Sequence, residues 1–141
     1  HTIIKVCNPN CIPCSKAHFV IDDLLENNKN VKIQIIYMVA DDENDKSKTV
    51  KHFMALYEKN DTELIKKALD FWYADNKNYN DLSNKYFLNG ELKSQGIKLN
   101  SMKKWCDETN ISFTPTFFLN GFQLPNTYNI RDLKYLLNTL N

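Results

Sequence analysis

Three of the chain's four cysteines lie close together, at Cys7, Cys11 and Cys14. Cys11 and Cys14 have the C-x-x-C spacing of a dithiol that can close to a disulfide within one helical turn. With Cys7 they also form a C-x3-C-x2-C pattern, which could supply three ligands of a four-iron cluster. The spacing allows both chemistries, so the elements around the cysteines must separate them.

The cysteines lie where a predicted strand ends and a predicted helix begins. A short apolar run over 3–6 precedes Cys7, and residues 11–27 carry an apolar stripe at helical spacing, with Pro13 in the first turn. Free N–H groups and the positive end of the helix dipole meet there, so we expect Cys11 to lose its proton easily. Cys14 faces the core in this pattern, while Cys11 lies at the helix tip. We therefore expect an attacking thiol and a sheltered resolving thiol.

Composition places the chain among ordinary globular domains. Its 141 residues are 43% hydrophobic and 25% charged, which suits one domain with a sizeable core. The net charge is +1 and there is no basic block, which argues against nucleic acid as a partner. Apolar runs reach about six residues, as at 35–40, whereas a membrane helix needs roughly 20. Since the chain opens in a strand pattern without Met, we expect His1 to be a cut or processed end of a longer protein.

The order of predicted elements gives the fold class. A strand over 31–39 follows the first helix, and residues 46–107 have helical patterns throughout. A hairpin follows over 116–124, where Asn120-Gly121 favours a type I′ turn, and a last helix begins at Asn129. The chain is therefore predicted to be an α/β protein, with a central mixed sheet flanked by helices.

Apolar stripes divide the middle block into four predicted helices, whose aromatic faces we interpret as core packing. The first stripe ends at Tyr57 and the third includes Phe87. The fourth helix is predicted to begin at Asn100 or Ser101, which are good N-cap residues. The last helix of the chain is expected to bury a stripe that includes Leu140.

A second motif, Thr114-Pro115, lies just before the hairpin. Together with C-x-x-C at the first strand–helix junction, it makes the chain resemble the thioredoxin fold, in the order βαβ–(helical insert)–αββα. In that family a cis-proline here lies beside the two cysteines, and the residue before it offers its backbone to a substrate peptide. The resemblance covers nearly all of a single domain over 1–141. The insertion over approximately 43–98 resembles the Dsb-type branch, which comprises extracytoplasmic disulfide oxidoreductases.

The resemblance implies a thiol–disulfide oxidoreductase that acts on protein thiols and disulfides. Cys11 would be the nucleophile and Cys14 the resolving thiol, with no bound cofactor or metal because the dithiol is the redox centre. Substrate would contact residues beside the two cysteines and at the second motif: Ile12, Pro13, Thr114 and Pro115. The Dsb likeness implies an extracytoplasmic location. Similar domains are fused to membrane-embedded vitamin K epoxide reductase-like domains, so such a domain is a candidate redox partner.

Two positions depart from the family pattern. Lys5 stands where related proteins often have a buried acid, six residues before the first active cysteine. It could tune the thiols, since an amine favours the thiolate, or it could simply reach solvent from the strand. The dipeptide Ile12-Pro13 lacks the histidine of strongly oxidising members. The direction of electron transfer is therefore left open by the sequence.

Other classes of site compete for the same residues. The C-x3-C-x2-C pattern resembles radical SAM iron–sulfur enzymes, but that class needs a long barrel of repeated βα units. A zinc site would need a fourth ligand, which Cys106 or His18 could supply. A peptide-binding module without catalysis would have no need of both thiols.

The remaining thiols and the histidine have structural interpretations as well. Cys7 is expected to be a small core residue or a spare thiol, with exchange with Cys11 as the alternative. Cys106 is expected to be a buried free cysteine on an apolar helix face. His18 is expected to lie on the surface of the first helix.

Overall fold

The computed structural model describes residues 1–75, 77–125 and 127–140, with side chains described up to residue 137. Its strands are β1 (Thr2–Cys7), β2 (Lys32–Tyr37), β3 (Thr116–Leu119) and β4 (Phe122–Gln123). Its helices are α1 (Ile12–Asn27), α2 (Asp45–Tyr57), α3 (Thr62–Ala74), α4 (Tyr79–Lys85), α5 (Gly96–Glu108) and α6 (Leu133–Leu140). Short 3-10 helices at Glu91–Gln95 and Ile130–Asp132 lead directly into α5 and α6.

The four strands form one mixed sheet in the order β2-β1-β3-β4. β1 pairs with β2 in parallel, and the crossover between them is α1, as the sequence predicted. β3 pairs antiparallel with both β1 and β4. The predicted α/β fold with a central mixed sheet is therefore confirmed, and β1 lies in its middle.

The hairpin between β3 and β4 turns at Asn120 and Gly121. Both residues have positive φ, 51° and 88°, which is the condition for a two-residue type I′ turn. The side-chain oxygen of Asn120 also accepts a 2.9 Å hydrogen bond from the backbone of Thr2. The turn thus sets the register of the hairpin and ties it to the start of β1.

Helices cover both faces of the sheet. On one face α1 and α6 bury an apolar cluster that consists of Ile3, Leu24, Val31, Leu119, Leu133 and Leu137. On the other face α5 packs through a second cluster, Val6, Ile36, Cys106, Ile111 and Phe118. Alternate residues of β1 therefore belong to different sides of the sheet, as period-two side chains must.

A third cluster lies beyond the carboxyl ends of β1 and β2, where α2, α3 and α4 pack together. It contains two of the thiols, Cys7 and Cys14, among large apolar side chains that include Tyr37, Phe53 and Trp72. The helices of the middle block thus build a separate part of the core around the end of β1. The segment from Cys7 to Cys14 thus packs against this part of the core at both of its ends.

Three details of the helical prediction are wrong. α5 begins at Gly96 and not at Asn100 or Ser101, because the chain enters it from the preceding 3-10 helix without a side-chain cap. Tyr57 and Phe87 are 70% and 74% exposed. Tyr57 is the last residue of α2 and Phe87 lies beyond the end of α4, so neither belongs to a buried helical face.

The last helix, α6, buries Leu137, and the side chain of Leu140 lies outside the described residues. Among the helices of the described ranges, none combines the length and apolarity needed to cross a lipid bilayer.

Candidate active site

The turn beside the candidate site connects β1 to α1 through residues 8–10. The side-chain oxygen of Asn8 accepts a 3.0 Å hydrogen bond from the backbone of Asn10, and its carbonyl accepts one from the backbone of Cys11. Behind the turn, the indole of Trp72 donates a buried 2.8 Å hydrogen bond to the carbonyl of Pro9. The turn is therefore held both by its own asparagine and by α3, which contacts it from far along the chain.

Cys11 occupies the N-cap of α1, and Pro13 lies in the first turn as predicted. The Cys11 sulfur accepts a 3.2 Å hydrogen bond from the backbone of Cys14. Cys11 is partly exposed, whereas Cys14 is completely buried. Ile12, between them, is 72% exposed. A large partner can therefore reach the first sulfur but not the second.

Thr114 and Pro115 lie beside this sulfur although they are about 100 residues away in the sequence. The Cys11 thiol is 3.5 Å from the carbonyl oxygen of Thr114, and the Thr114–Pro115 bond is cis. The hydroxyl of Thr114 also accepts a 3.4 Å hydrogen bond from the side chain of Asn8. The structure thus brings the two sequence motifs into contact.

A groove runs from the helix tip along α1 and past the cis-proline. Its volume is about 540 Å³. Its lining is mainly apolar with two positive side chains, and it includes Pro13, Lys16, Phe113, Pro115, Tyr128 and Arg131. The groove is lined by Pro13 and Pro115, which lie close to Cys11 and Thr114 in the sequence, so a peptide bound at Cys11 has an apolar surface nearby.

The proton affinity of Cys11 differs from the sequence-based expectation. Partial burial and the neighbouring Cys14 thiol raise the pKa of Cys11, while its contacts with Thr114 and with the Cys14 amide lower it. The net direction is upward. The prediction that this thiol loses its proton easily is therefore wrong for the reduced state, because burial outweighs the amide at the helix start.

Cys7, at the end of β1, and Cys14 are both buried in the core cluster beyond the strand ends. Interaction with the Cys7 thiol, together with burial, raises the pKa of Cys14. Interaction with Cys14 lowers the pKa of Cys7 against the effect of burial, and the positive charge of Lys5 and the Tyr73 hydroxyl lower it further. The pKa values of the two thiols are therefore shifted in opposite directions.

Lys5 does not reach solvent. Its side chain is 2% exposed, and its Nζ donates a 3.2 Å hydrogen bond to the carbonyl of Cys14. The Nζ also lies 5.3 Å from the centre of the Tyr73 ring. The solvent-reaching alternative for this lysine is wrong, since its amine is enclosed between Cys14 of α1 and Tyr73 of α3. The positive charge of Lys5 therefore lies close to the buried thiols and lowers the pKa of Cys7.

His18 is also placed differently from the prediction. It is buried, not on the helix surface, and its Nε2 lies 2.7 Å from a carboxylate oxygen of Asp70 on α3 and 3.4 Å from one of Asp22. These three residues could hold a metal ion by distance alone. However, the Lys66 Nζ lies 3.0 Å from Asp70 and 3.6 Å from Asp22, so a positive charge already occupies the cluster. We interpret it as an ion-pair network that joins α1 to α3.

The zinc alternative loses both of its candidate fourth ligands. Cys106 lies on α5 and is buried in a different apolar cluster from Cys7 and Cys14. His18 faces Asp70.

Sequence reasoning did not identify Trp72 and Tyr73 as neighbours of the cysteines. Their aromatic pattern predicted core packing, and no local signal shows which part of the core a helix 60 residues away will cover.

Known proteins share this arrangement at the level of the family and of the fold. A family model described as Thioredoxin matches residues 1–139. The chain belongs to the thioredoxin family. The radical SAM alternative is wrong, because the fold is a four-stranded sheet and not a barrel of repeated βα units. No curated protein matches the sequence.

Solved structures of Dsb-type proteins share the fold at low identity. The thiol-disulfide exchange protein α-DsbA2 from Wolbachia pipientis is 13% identical with a TM-score of 0.73, covering 99% of this chain and 81% of that one. BdbD from Bacillus subtilis is 13% identical with a TM-score of 0.71, covering 99% and 84%. ScsC from Proteus mirabilis, in a transitional conformation, is 13% identical with a TM-score of 0.76, covering 98% and 65%. At such identities the likeness shows the thioredoxin-like fold with its helical insert.

Proposed function

We propose that this thioredoxin-family protein is a thiol–disulfide oxidoreductase that exchanges disulfides with protein substrates through Cys11 and Cys14. The main support is the position of the Cys11 sulfur. It is partly exposed, it lies against the Thr114 carbonyl at the cis-proline, and it has a buried thiol one helical turn away. The printed description of the Wolbachia protein as a thiol-disulfide exchange protein agrees with this proposal.

The exchange proceeds in two displacements at sulfur. A Cys11 thiolate attacks one sulfur of a substrate disulfide, which forms a mixed disulfide and releases the other substrate sulfur as a thiolate. Cys14 then attacks the Cys11 sulfur, the Cys11–Cys14 bond forms, and the second substrate thiolate leaves. The substrate gains two electrons and the protein loses them. The reverse sequence oxidises a substrate dithiol, so the redox potential decides the direction.

Four residues are proposed to hold the substrate during these steps. The backbone of Thr114, fixed by the cis bond to Pro115, offers a carbonyl to an extended peptide as an added strand would. Ile12 and Pro13 are exposed on the other side of the sulfur. The groove that starts at Pro13 receives the chain that follows, and its apolar lining favours apolar side chains.

The proposal also covers the substrates, the location, the redox partner and the domain organisation of the protein. The substrates are protein thiols and disulfides, and no cofactor is needed because the dithiol carries the electrons. We propose an extracytoplasmic location, in a cell envelope or periplasm, where such disulfides persist. A membrane-embedded vitamin K epoxide reductase-like domain, in the same chain or separate, is the proposed partner that recycles the site. The helices over 43–98 are proposed to be an insertion within a single domain.

A redox titration in a Cys7→Ala background tests the proposal. The protein is equilibrated in glutathione buffers of fixed potential, quenched, unfolded and alkylated, and its mass is measured. Cys11 and Cys14 should disappear from the alkylated set together, as a two-electron pair. A midpoint near about −270 mV would indicate a reductant, and one near about −120 mV an oxidant. If both thiols stay free at every potential, the protein is a binding module on this fold and not an oxidoreductase.

A further inference from the structure

Two positive side chains line the groove near the cysteines, and the exchange steps described above use neither of them. Lys16 lies on α1, and Arg131 lies in the 3-10 helix that leads into α6. Arg131 is the only arginine among the chain's 18 lysine and arginine residues. The described residues that line the groove include no aspartate and no glutamate. This lining therefore carries two positive charges and no negative one.

One face of α1 forms a wall of the groove. Pro13, Lys16, Ala17 and Val20 line it, and their spacing of three and four residues places them on a single side of the helix. The groove therefore follows α1 for about two turns. Lys16 is five residues beyond Cys11, which is a rise of about 7.5 Å along the helix axis. An extended peptide covers that distance in about two to three residues.

The rest of the lining comes from the cis-proline segment and from the chain between β4 and α6. Phe113, before the cis-proline, is 41% exposed, and Tyr128, before the last 3-10 helix, is 50% exposed. Large rings that are open to solvent at a groove offer packing surface to apolar side chains of a ligand. The groove thus combines apolar contact area with two cationic groups.

No carboxylate of the described part of the chain neutralises these cations. Lys51, for comparison, lies 2.8 Å from a carboxylate oxygen. Within the described ranges no ion pair includes Lys16 or Arg131, and both residues are exposed. Asp132, next to Arg131, accepts a 3.0 Å hydrogen bond from the backbone N–H of Asn129 as part of a helix cap. Both positive charges therefore remain available to a ligand in the groove.

We propose that the groove selects substrate peptides with an acidic side chain about two to four residues from the reacting cysteine, and that Lys16 and Arg131 determine this specificity. A guanidinium matches a carboxylate with two parallel hydrogen bonds, and the lysine amine adds a second positive charge. Apolar neighbours of the acidic residue pack on Phe113 and Tyr128. This specificity rests on the proposed function, because the disulfide bond to Cys11 is what brings the peptide to the groove.

The same two charges act against basic peptides. Lysine or arginine at these positions of a substrate would meet Lys16 and Arg131 without a carboxylate between them, and like charges repel. Discrimination is the difference between the two cases, so attraction of acidic peptides and repulsion of basic ones add together. Because both side chains are exposed, salt should weaken the discrimination.

Exchange rates with matched peptides test the specificity. Short peptides carry one cysteine blocked by 5-thio-2-nitrobenzoate, with glutamate, glutamine or lysine at the second and third positions on each side. Attack of Cys11 on the peptide sulfur releases the yellow thiolate, which stopped-flow absorbance records. Each rate is divided by the rate of the same peptide with dithiothreitol, an uncharged thiol. The glutamate peptide should react about tenfold faster than the lysine peptide at low salt, and the ratio should shrink at about 0.5 M salt.

Matched variants assign the preference to the groove. Lys16→Gln combined with Arg131→Gln should bring the ratio of the two rates close to one. Lys32→Gln combined with Lys134→Gln removes the same charge from exposed positions outside the groove lining and should keep the preference. A preference that survives in the groove variant, or equal rates for the glutamate and lysine peptides in the natural sequence, would overturn the proposal.

Binding without exchange separates this specificity from the proposed function. The same peptides, with serine in place of cysteine and an N-terminal fluorophore, are titrated with reduced protein, and fluorescence anisotropy gives their affinities. The glutamate peptide should bind about tenfold more tightly than the lysine peptide, and the groove variant should lose the difference. If this preference is present but Cys11 and Cys14 never form a disulfide, the specificity holds for a binding module and the oxidoreductase proposal fails. If exchange occurs without any preference, only the specificity fails.

Other occupants of the groove would give different results. Binding to phosphatidylserine vesicles that the groove variant loses, and that the glutamate peptide does not reduce, would overturn the peptide proposal in favour of a membrane surface. A dimer in light scattering that dissociates in the groove variant would overturn it in favour of a second copy of the chain, whose acidic loop over 41–45 would be the occupant.

Discussion

The side-chain amine of Lys5 donates a 3.2 Å hydrogen bond to the backbone carbonyl of Cys14. This contact joins the middle of β1 to the first turn of α1. It also fixes a positive charge inside the thiol cluster, where water is excluded and charge interactions are stronger than at the surface. The lysine therefore has a defined effect on the chemistry, which can be tested by removing it.

Lys5→Met should make the protein a weaker oxidant. The amine of Lys5 lies beside Cys14, and a positive charge there stabilises the thiolate form of Cys14, which exists only in the reduced state. Loss of the charge therefore favours the Cys11–Cys14 disulfide. We expect the midpoint potential to move by roughly 30 mV to more negative values, a tenfold change in the equilibrium constant. Lys32→Met is the control, since Lys32 is exposed at the other end of the paired strands. A shift to more positive values would contradict the assigned role of the charge.

Cys14→Ser should accumulate mixed disulfides between Cys11 and substrate proteins. Without the resolving thiol, the mixed disulfide cannot be released by formation of the Cys11–Cys14 bond. Non-reducing gels and mass spectrometry of the purified variant detect these adducts. Cys11→Ser is the matched control and should form no such adduct at the groove. Comparable adducts in both variants would mean that Cys11 is not the sulfur that meets the substrate.

The ion-pair network of α1 and α3 should make stability depend on pH through Asp22. Burial, and then the neighbouring Asp70 carboxylate, raise the pKa of Asp22 to about 6 from its usual value of 3.8. The folded state thus binds a proton that the unfolded state releases, so this group's contribution to stability falls as pH rises from about 4 to about 6.

Asp22→Asn removes that proton linkage while keeping an uncharged side chain of the same shape. We expect the difference in melting temperature between the variant and the natural sequence to be more favourable to the variant at about pH 7.5 than at about pH 4. Thermal unfolding of the reduced proteins across this range measures it. Asp23→Asn, at an exposed position next in the chain, should show no such trend. A difference that does not vary with pH would refute the assignment of the proton to Asp22.

Trp72→Phe should destabilise the protein by about 1–3 kcal/mol, since the buried carbonyl of Pro9 loses its hydrogen-bond donor. Urea unfolding of the reduced protein measures the change in the free energy of unfolding. Trp105→Phe is the comparison, because Trp105 packs edge-on against Phe118 on the far side of the sheet. Equal costs for the two variants would mean that the Pro9 hydrogen bond contributes nothing beyond the packing of the ring.

The sequence predicted the parts of the site that local patterns encode. Periodicity and turn residues gave the mixed sheet, the position of Cys11 at the start of α1, and the hairpin at Asn120-Gly121. The resemblance to thioredoxins placed Thr114-Pro115 beside the dithiol, where the structure has it. These features depend on residues near one another in the chain or on motifs shared by the family.

Features that depend on tertiary packing could not be predicted in the same way. The sequence left open whether Lys5 reaches solvent, and it placed His18 at the surface, because no nearby residue shows that side chains of α3 lie against them. The proton affinity of Cys11 was predicted in the wrong direction for a related reason. The helix start is visible in the sequence, but the burial that outweighs it is supplied by distant segments.

Three residues of α3 contact the turn before α1 or the first two turns of α1. Asp70 meets His18 on α1, Trp72 holds the turn at Pro9, and the Tyr73 carbonyl accepts a 3.2 Å hydrogen bond from the hydroxyl of Ser15. The eight residues from Cys7 to Cys14 therefore depend on α3 for their conformation and surroundings. If these residues were moved into a thioredoxin without the helical insert, the cysteines would be kept but the contacts from α3 would be lost. The smallest unit for engineering therefore includes α3.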